Sequence, residues 1–144
     1  MRIKIAWIGK AKHAATRDLT EHYLRQMQAF RRYATVEGVE LPDKDPVRGL
    51  GQKSSGQRLW LLDPAGRHLD STGFAAWLER EGSGQGDVVL VIGGADGFPA
   101  EIAELAAGRI SLSPLTFSHE LARVVAFEQV YRALAILNHH PYPR

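Results

Sequence analysis

An α/β sheet covered by helices on both faces follows from three features of this 144-residue chain. Five short segments carry the apolar patterns of strands, some alternating and some nearly continuous. Several of the stretches between them place apolar residues at helical spacing. Glycine, proline or a capping residue marks most of the junctions, so strands and helices interleave rather than segregate.

The elements can be taken in order. Ile3-Lys4-Ile5-Ala6-Trp7-Ile8 alternates and stops at Gly9, which predicts a first strand over 3–8. Leu19, Tyr23, Met27 and Phe30 recur at helical spacing, with Asp18 and Glu21 in the early part, and predict a helix over 16–33. Residues 36–41 read as a second strand. Residues 42–57, rich in Gly, Ser, Lys and Pro, read as a long loop with little to offer a core. The run Arg58-Leu59-Trp60-Leu61-Leu62 is nearly continuous, as a strand covered on both faces should be, and Asp63-Pro64 closes it. Ser71 can cap a helix over 72–80, with Phe74, Trp77 and Leu78 on one side. Asp87 introduces a strand over 88–92, which runs into the turn Gly93-Gly94-Ala95-Asp96-Gly97. Pro99 suits the first turn of a helix ending near Gly108, and residues 110–112 supply the fifth strand. A last helix opens at His119 or Glu120 and runs to about Leu137.

That helix is apolar around most of its circumference, through Leu121, Val124, Val125, Phe127, Val130, Tyr131, Leu134, Ile136 and Leu137. Such a helix must be buried nearly all round, and a domain this small has little material with which to do it. Burial against a second copy, hence a homodimer, is the expectation; an ordinary sandwiched core helix is the alternative.

Composition narrows the chemistry. One domain spanning 1–144 is expected from the length, and 44% hydrophobic content fits a folded core. The absence of Cys excludes disulfides and thiolate chemistry. No apolar run approaches the roughly 20 residues of a membrane span, and the N-terminus lacks the apolar stretch of a signal peptide, so a cytoplasmic protein is expected. The six His do not form a ligand pattern such as HExxH, and no metal is expected. Charge is uneven: residues 1–58 hold twelve Lys/Arg against six Asp/Glu, and residues 59–144 hold six against ten. The basic half could contact nucleic-acid phosphates, or it could be a well-solvated surface; charge alone does not choose.

The turn Gly93-Gly94 with Asp96-Gly97, the loop Leu112-Ser113-Pro114-Leu115-Thr116-Phe117, His119, the pattern Glu128-x-x-Tyr131-Arg132 and the ending His140-Pro141-Tyr142 occur in that order. Together they resemble the RlmH family, small SPOUT-superfamily methyltransferases acting on a pseudouridine of large-subunit ribosomal RNA. The resemblance covers essentially the whole chain and is most specific from Gly93 to Tyr142. It implies a C-terminal trefoil knot, S-adenosylmethionine bound at the knot, and a homodimer. By similarity, the cofactor contacts fall on Leu62, Gly93, Leu112, Ser113, Pro114, Leu115, Thr116 and Phe117. Backbone groups freed at strand ends and glycine turns suit an adenine and a ribose.

Two departures from the family stand out. Residues 42–57 are shorter and more loop-like than usual, and Pro143 stands where relatives typically have a second His. Candidates for assisting methyl transfer at N3 of the pseudouridine are therefore His119, Glu128 and Tyr142, with Arg132 and Arg144 acting electrostatically. Glu128 and Arg132, four apart on one helix, could equally be a structural pair. The implied partner is large-subunit rRNA in the ribosome, held by a basic surface of Arg2, Lys4, Lys10, Lys12, Arg17 and Arg25. A non-catalytic ribosome-binding or assembly factor remains the alternative; a nucleotide-dependent oxidoreductase is disfavoured because no G-x-G-x-x-G follows the first strand.

Overall fold

The computed structural model describes residues 1–50, 56–84 and 86–142. The elements run β1 (Arg2–Ile8), α1 (Ala14–Met27), a 3₁₀ turn (Gln28–Phe30), β2 (Thr35–Leu41), α2 (Pro46–Gly49), β3 (Arg58–His68), α3 (Ser71–Gly82), β4 (Val88–Ile92), α4 (Ala100–Leu105), β5 (Gly108–Ser111) and α5 (His119–Leu137). The strands form one sheet in the order β2-β1-β4-β3-β5, with every neighbouring pair parallel. β4 lies at the centre and all five of its residues are buried, which is why its sequence is continuous Val, Leu and Ile.

Alternation along the strands divides the interior in two. Ile3, Ile5, Val88, Leu90 and Ile92 pack with α3, α5 and the end of α1. Ala6, Ile8, Leu59, Leu61, Val89 and Val91 pack on the other face, with Leu41, Leu50 and Ile102. Helices therefore cover both faces, as the interleaved pattern requires.

Several boundaries differ from expectation. Helix α1 stops at Met27 and tightens into the 3₁₀ turn. The segment expected to add little to the core contains α2, whose Pro46 is buried, and Leu50, which joins the second cluster; residues 51–55 lie outside the described ones. The cap of α3 is Asp70, whose carboxylate accepts the Gly73 N–H at 2.7 Å, one residue before the expected Ser71. Strand β3 continues past Asp63-Pro64. Leu62 and Arg67 both pair with Ile110, so residues 63–66 form a bulge in the register before pairing resumes, with Gly66 close against the Arg109–Ile110 backbone. Pro64 has no N–H to give a ladder, which explains the break but not a stop.

Helix α5 is buried largely within one chain. Ten of its residues, including Phe127, Val130 and Leu134, are covered by α1, α3 and the sheet. Arg123, a charged exception on the apolar surface, is only 3% exposed; its guanidinium lies 4.8 Å from the centre of the Trp7 ring. The expectation that one copy could not cover this helix is thus corrected for most of its circumference. Its least covered face carries Leu121 and Ile136, both exposed, with Val125, Glu128 and Arg132 half-buried between them, at spacings that keep one face of a helix.

Candidate active site

The carboxyl ends of β3, β4 and β5 open onto a cleft of about 430 Å³. That volume falls within the usual range of small-molecule sites, roughly 300–1,000 Å³. Such crevices at the carboxyl ends of parallel strands are where α/β sheets bind ligands, because loops there are free to vary. Ile92 ends β4 and Leu62 ends the first paired stretch of β3 at its floor, the turn from Gly93 forms one wall, and the loop after β5 forms the other. The first turn of α5, capped by the Ser118 side chain accepting the Leu121 N–H, closes it with His119.

Each wall has a local cause. Gly94 and Gly97 exchange backbone hydrogen bonds at 3.0 and 3.2 Å, folding residues 94–97 into a tight hairpin. A Cβ on Gly93 would stand 3.1 Å from the Gly97 carbonyl, so a side chain there would require the hairpin backbone to shift. In the opposite wall, the Ser111 hydroxyl donates to the Ser113 carbonyl at 2.9 Å, and Ser113 Oγ accepts the Leu115 N–H at 3.0 Å. These bonds fix the start of the loop while its tip projects: Leu115 is 72% exposed, and Phe117 is also exposed. Apolar side chains held open beside a cleft are suited to covering a flat ring.

Of the cofactor residues expected from the resemblance, Leu62, Gly93, Leu112, Ser113, Leu115, Thr116 and Phe117 line the cleft; Pro114 is exposed and does not. The expectation missed Asp63, Ala95, Phe98, Ser118 and Ala122, which also line it. Asp63 was recoverable as the residue immediately beyond a buried strand. Its carboxylate pairs with Arg109 and accepts the Ala65 N–H.

The assisting residues divide into two groups. His119 lines the cleft. Glu128, Arg132 and Tyr142 form a separate cluster and do not line it. Glu128 Oε1 accepts from Arg132 Nη2 at 2.6 Å and Nε at 3.2 Å, and from the Tyr142 hydroxyl at 3.0 Å. The Arg132 guanidinium also lies 4.8 Å from the centre of the Tyr142 ring. Burial, then hydrogen bonds with Tyr23 and Glu128, push the Tyr142 phenol well above its ordinary pKa. It is therefore a hydrogen-bond donor at neutral pH and not a base. Glu128 is nine positions beyond His119 on α5, about 14 Å along the helix axis, and Arg132 about 20 Å. Arg132 and Tyr142 instead border a second recess of about 340 Å³, with Ser71, Thr72 and His140. Arg144, and with it Pro143, lies outside the described residues.

The basic residues divide too. Arg2 and Lys4 sit at the start of β1, ion-paired with the buried Asp87, at the end of the sheet away from the cleft. Lys10, Lys12 and Arg17 are exposed beyond the other end of β1, on the cleft side. Arg25 is exposed further along α1. Among the described residues no group of three or more His, Asp or Glu could hold a metal ion, and no helix is long and apolar enough to cross a membrane.

Comparison with known proteins agrees with this geometry. A family model described as "Predicted SPOUT methyltransferase" matches residues 1–143. The chain is 40% identical to the "Ribosomal RNA large subunit methyltransferase H" of Sorangium cellulosum, covering 99% of each chain. It is 38% identical to the protein of the same name from Solibacter usitatus, covering 100% of each. Among solved structures, a probable methylase family protein from Haemophilus influenzae Rd KW20 shares the fold, with a TM-score of 0.58 over 99% of this chain and 70% of that one, at 12% identity. A match that runs from the first strand through the cleft to the tail leaves one assignment: the chain belongs to the SPOUT methyltransferase family.

Proposed function

We propose that this chain transfers a methyl group from S-adenosylmethionine to N3 of a pseudouridine in large-subunit ribosomal RNA, acting on assembled ribosomes in the cytoplasm. In this reading residues 1–144 are one domain, and two copies form a homodimer. The observation that carries it is the cleft, assembled from strand ends and loops in a chain 40% identical to a protein named as a large-subunit rRNA methyltransferase. A trefoil knot at the cleft belongs to the same proposal, on the match to the SPOUT methyltransferase family.

The cleft fits the cofactor. Its volume suits a nucleoside with a short tail, its strand-end walls offer backbone groups, and Asp63 supplies a carboxylate. Held by these walls, S-adenosylmethionine would supply a methyl activated by its sulfonium for attack by N3, with the neutral thioether as leaving group. The chain must align the base, exclude water and accept the N3 proton. Alignment can supply roughly 7–11 kcal/mol, and a positioned base about 10²–10⁴-fold, so orientation is the larger share. His119, at the cleft, is placed to handle the proton. Glu128 and Arg132 lie too far along α5 to serve their own cleft, and Tyr142 is bonded to Glu128. A dimer packed on the least covered face of α5, with Leu121 and Ile136 exposed at its two ends, would bring one subunit's cluster towards its partner's cleft. Lys10, Lys12 and Arg17 are placed to hold RNA phosphates.

The test is methyl transfer from labelled S-adenosylmethionine to ribosomes from a strain lacking this gene, with mass mapping of the product. N3-methylpseudouridine in large-subunit RNA is expected. Ribosome binding without cofactor uptake would overturn the reading in favour of a binding factor. Charge reversal at Lys10 and Lys12 together should weaken RNA binding and reduce its salt slope by about 2, one per lost phosphate contact, with cofactor affinity unchanged. Equal loss of both affinities would show that the two sites are not separate.

A further inference from the structure

We infer that Glu120 is a positioning residue that fixes the basic loop 10–13 against the wall of the methyl-donor cleft, setting the offset between a held RNA phosphate and the reacting base. The inference rests on the functional reading above and adds a residue that neither the cleft nor the Glu128 cluster includes.

Helix α1 begins without a cap of its own. His13 occupies the N-cap position in extended conformation, and its side chain bonds none of the helix amides. The two residues ahead of the helix are held from more than a hundred residues away. Glu120 Oε1 accepts the backbone N–H of Lys12 at 2.8 Å and of His13 at 2.9 Å, and the Thr16 hydroxyl at 3.2 Å. Its second oxygen lies 3.3 Å from His13 Nε2, and Arg123 Nη2 stands 3.6 Å behind. The residue is 6% exposed. The His13 N–H holds the carboxyl below its ordinary pKa, against the opposing effect of burial, so it stays ionised at neutral pH.

What Glu120 joins is as informative as how it is held. On one side Lys10, Lys12, His13 and Arg17 turn their side chains to solvent. On the other, Ser118 and His119 line the cleft immediately before it. One carboxylate therefore ties the phosphate-facing loop to the first turn of α5. Had the surface been shaped only to attract RNA, an acidic residue beside Lys12 and His13 would work against it by like-charge repulsion of phosphate. A buried, fully used carboxylate is instead a fastening.

That contrast gives opposite signs for one substitution. If Glu120 acts only through its charge, Glu120→Ala tightens RNA binding; if it positions the loop, Glu120→Ala loosens it. Glu120→Gln keeps an oxygen for the two amides and serves as the conservative rescue. In Glu120→Ala, amide exchange at Lys12 and His13 should accelerate, and KM for ribosomes should rise between about tenfold and 100-fold, the cost of a displacement near 1 Å. The Kd for S-adenosylmethionine should stay within about twofold, well below a tenfold or 1.4 kcal/mol change. Glu120→Gln should restore both the exchange protection and the KM. A ribosome KM that is unchanged or lower in Glu120→Ala, cofactor affinity falling in step with it, or failure of Gln to rescue would overturn the inference. Should the wild-type chain methylate no ribosomal RNA, the functional reading falls on its own. Exchange, and filter binding of a single-stranded homopolymer RNA, would still decide the fastening between the two variants.

Discussion

Glu128→Ala should lower methyl transfer by about 10²–10³-fold, the loss typical when one preorganised electrostatic partner is removed. Binding of S-adenosylmethionine should be unaffected, because Glu128 lies outside the cleft. Its carboxylate takes two bonds from Arg132 and one from Tyr142, and Gln129 Nε2 donates to its other oxygen at 2.6 Å. Removing it takes one hydrogen-bond acceptor from Tyr142 and breaks the Glu128–Arg132 ion pair. The associated stability cost should be about 1–3 kcal/mol, reduced by the partial exposure of the cluster. Steady-state kinetics on ribosomes, with cofactor binding by calorimetry, would separate the two effects. The decisive arm is complementation. Co-expressing Glu128→Ala with a variant whose cleft is filled, such as Ala122→Trp, should regain activity if the cluster of one subunit serves the cleft of its partner. Two inactive variants that stay inactive in one dimer would show that the cluster works some other way.

Much of the fold is legible in the sequence because strand signals are local. The apolar run over 88–92 matches β4 at both ends, since full burial on two faces demands continuous aliphatic residues and a glycine turn ends it. Less legible are features set by a distant partner. Asp63-Pro64 carries every local sign of a strand's end, yet pairing with β5 draws residues 67 and 68 back into the sheet. Glu120 looks locally like an acidic residue in a favourable first turn; only folding shows that it holds the amides just ahead of a helix begun at residue 14. Arg123 looks like an exposed charge, but a ring of Trp7 and the Glu120 carboxylate admit it to the interior. The candidate site divides similarly. The cleft loop follows from residue types at a strand end, while grouping His119 with Glu128 and Arg132 ignores the rise of the helix that carries them. Once α5 is known to be unbroken, that rise alone separates His119 at the cleft from the cluster.

The second large effect is expected at Gly66, where fold and site depend on the same atoms. A Cβ here would lie 2.7 Å from the Arg109 carbonyl carbon and 2.8 Å from the Ile110 nitrogen, both backbone, so no side-chain rotation can relieve the contact. Gly66→Ala must therefore push the β3 bulge away from β5 or tear the Leu62–Ile110–Arg67 pairing. Overpacking of this kind costs about 1–3 kcal/mol, which for a chain of this size should lower Tm by several degrees. A peripheral clash would stop there. This one should also weaken cofactor binding, because β5 leads directly into the loop from Leu112 to Phe117 and Asp63, at the start of the same bulge, lines the cleft. Thermal denaturation and cofactor titration of Gly66→Ala test both halves. Loss of stability with full cofactor affinity would show that the loop is held by its own serine hydrogen bonds. Joint loss would show that close backbone contact between β3 and β5 shapes the cleft, and that glycine is needed there for the site as well as for the sheet.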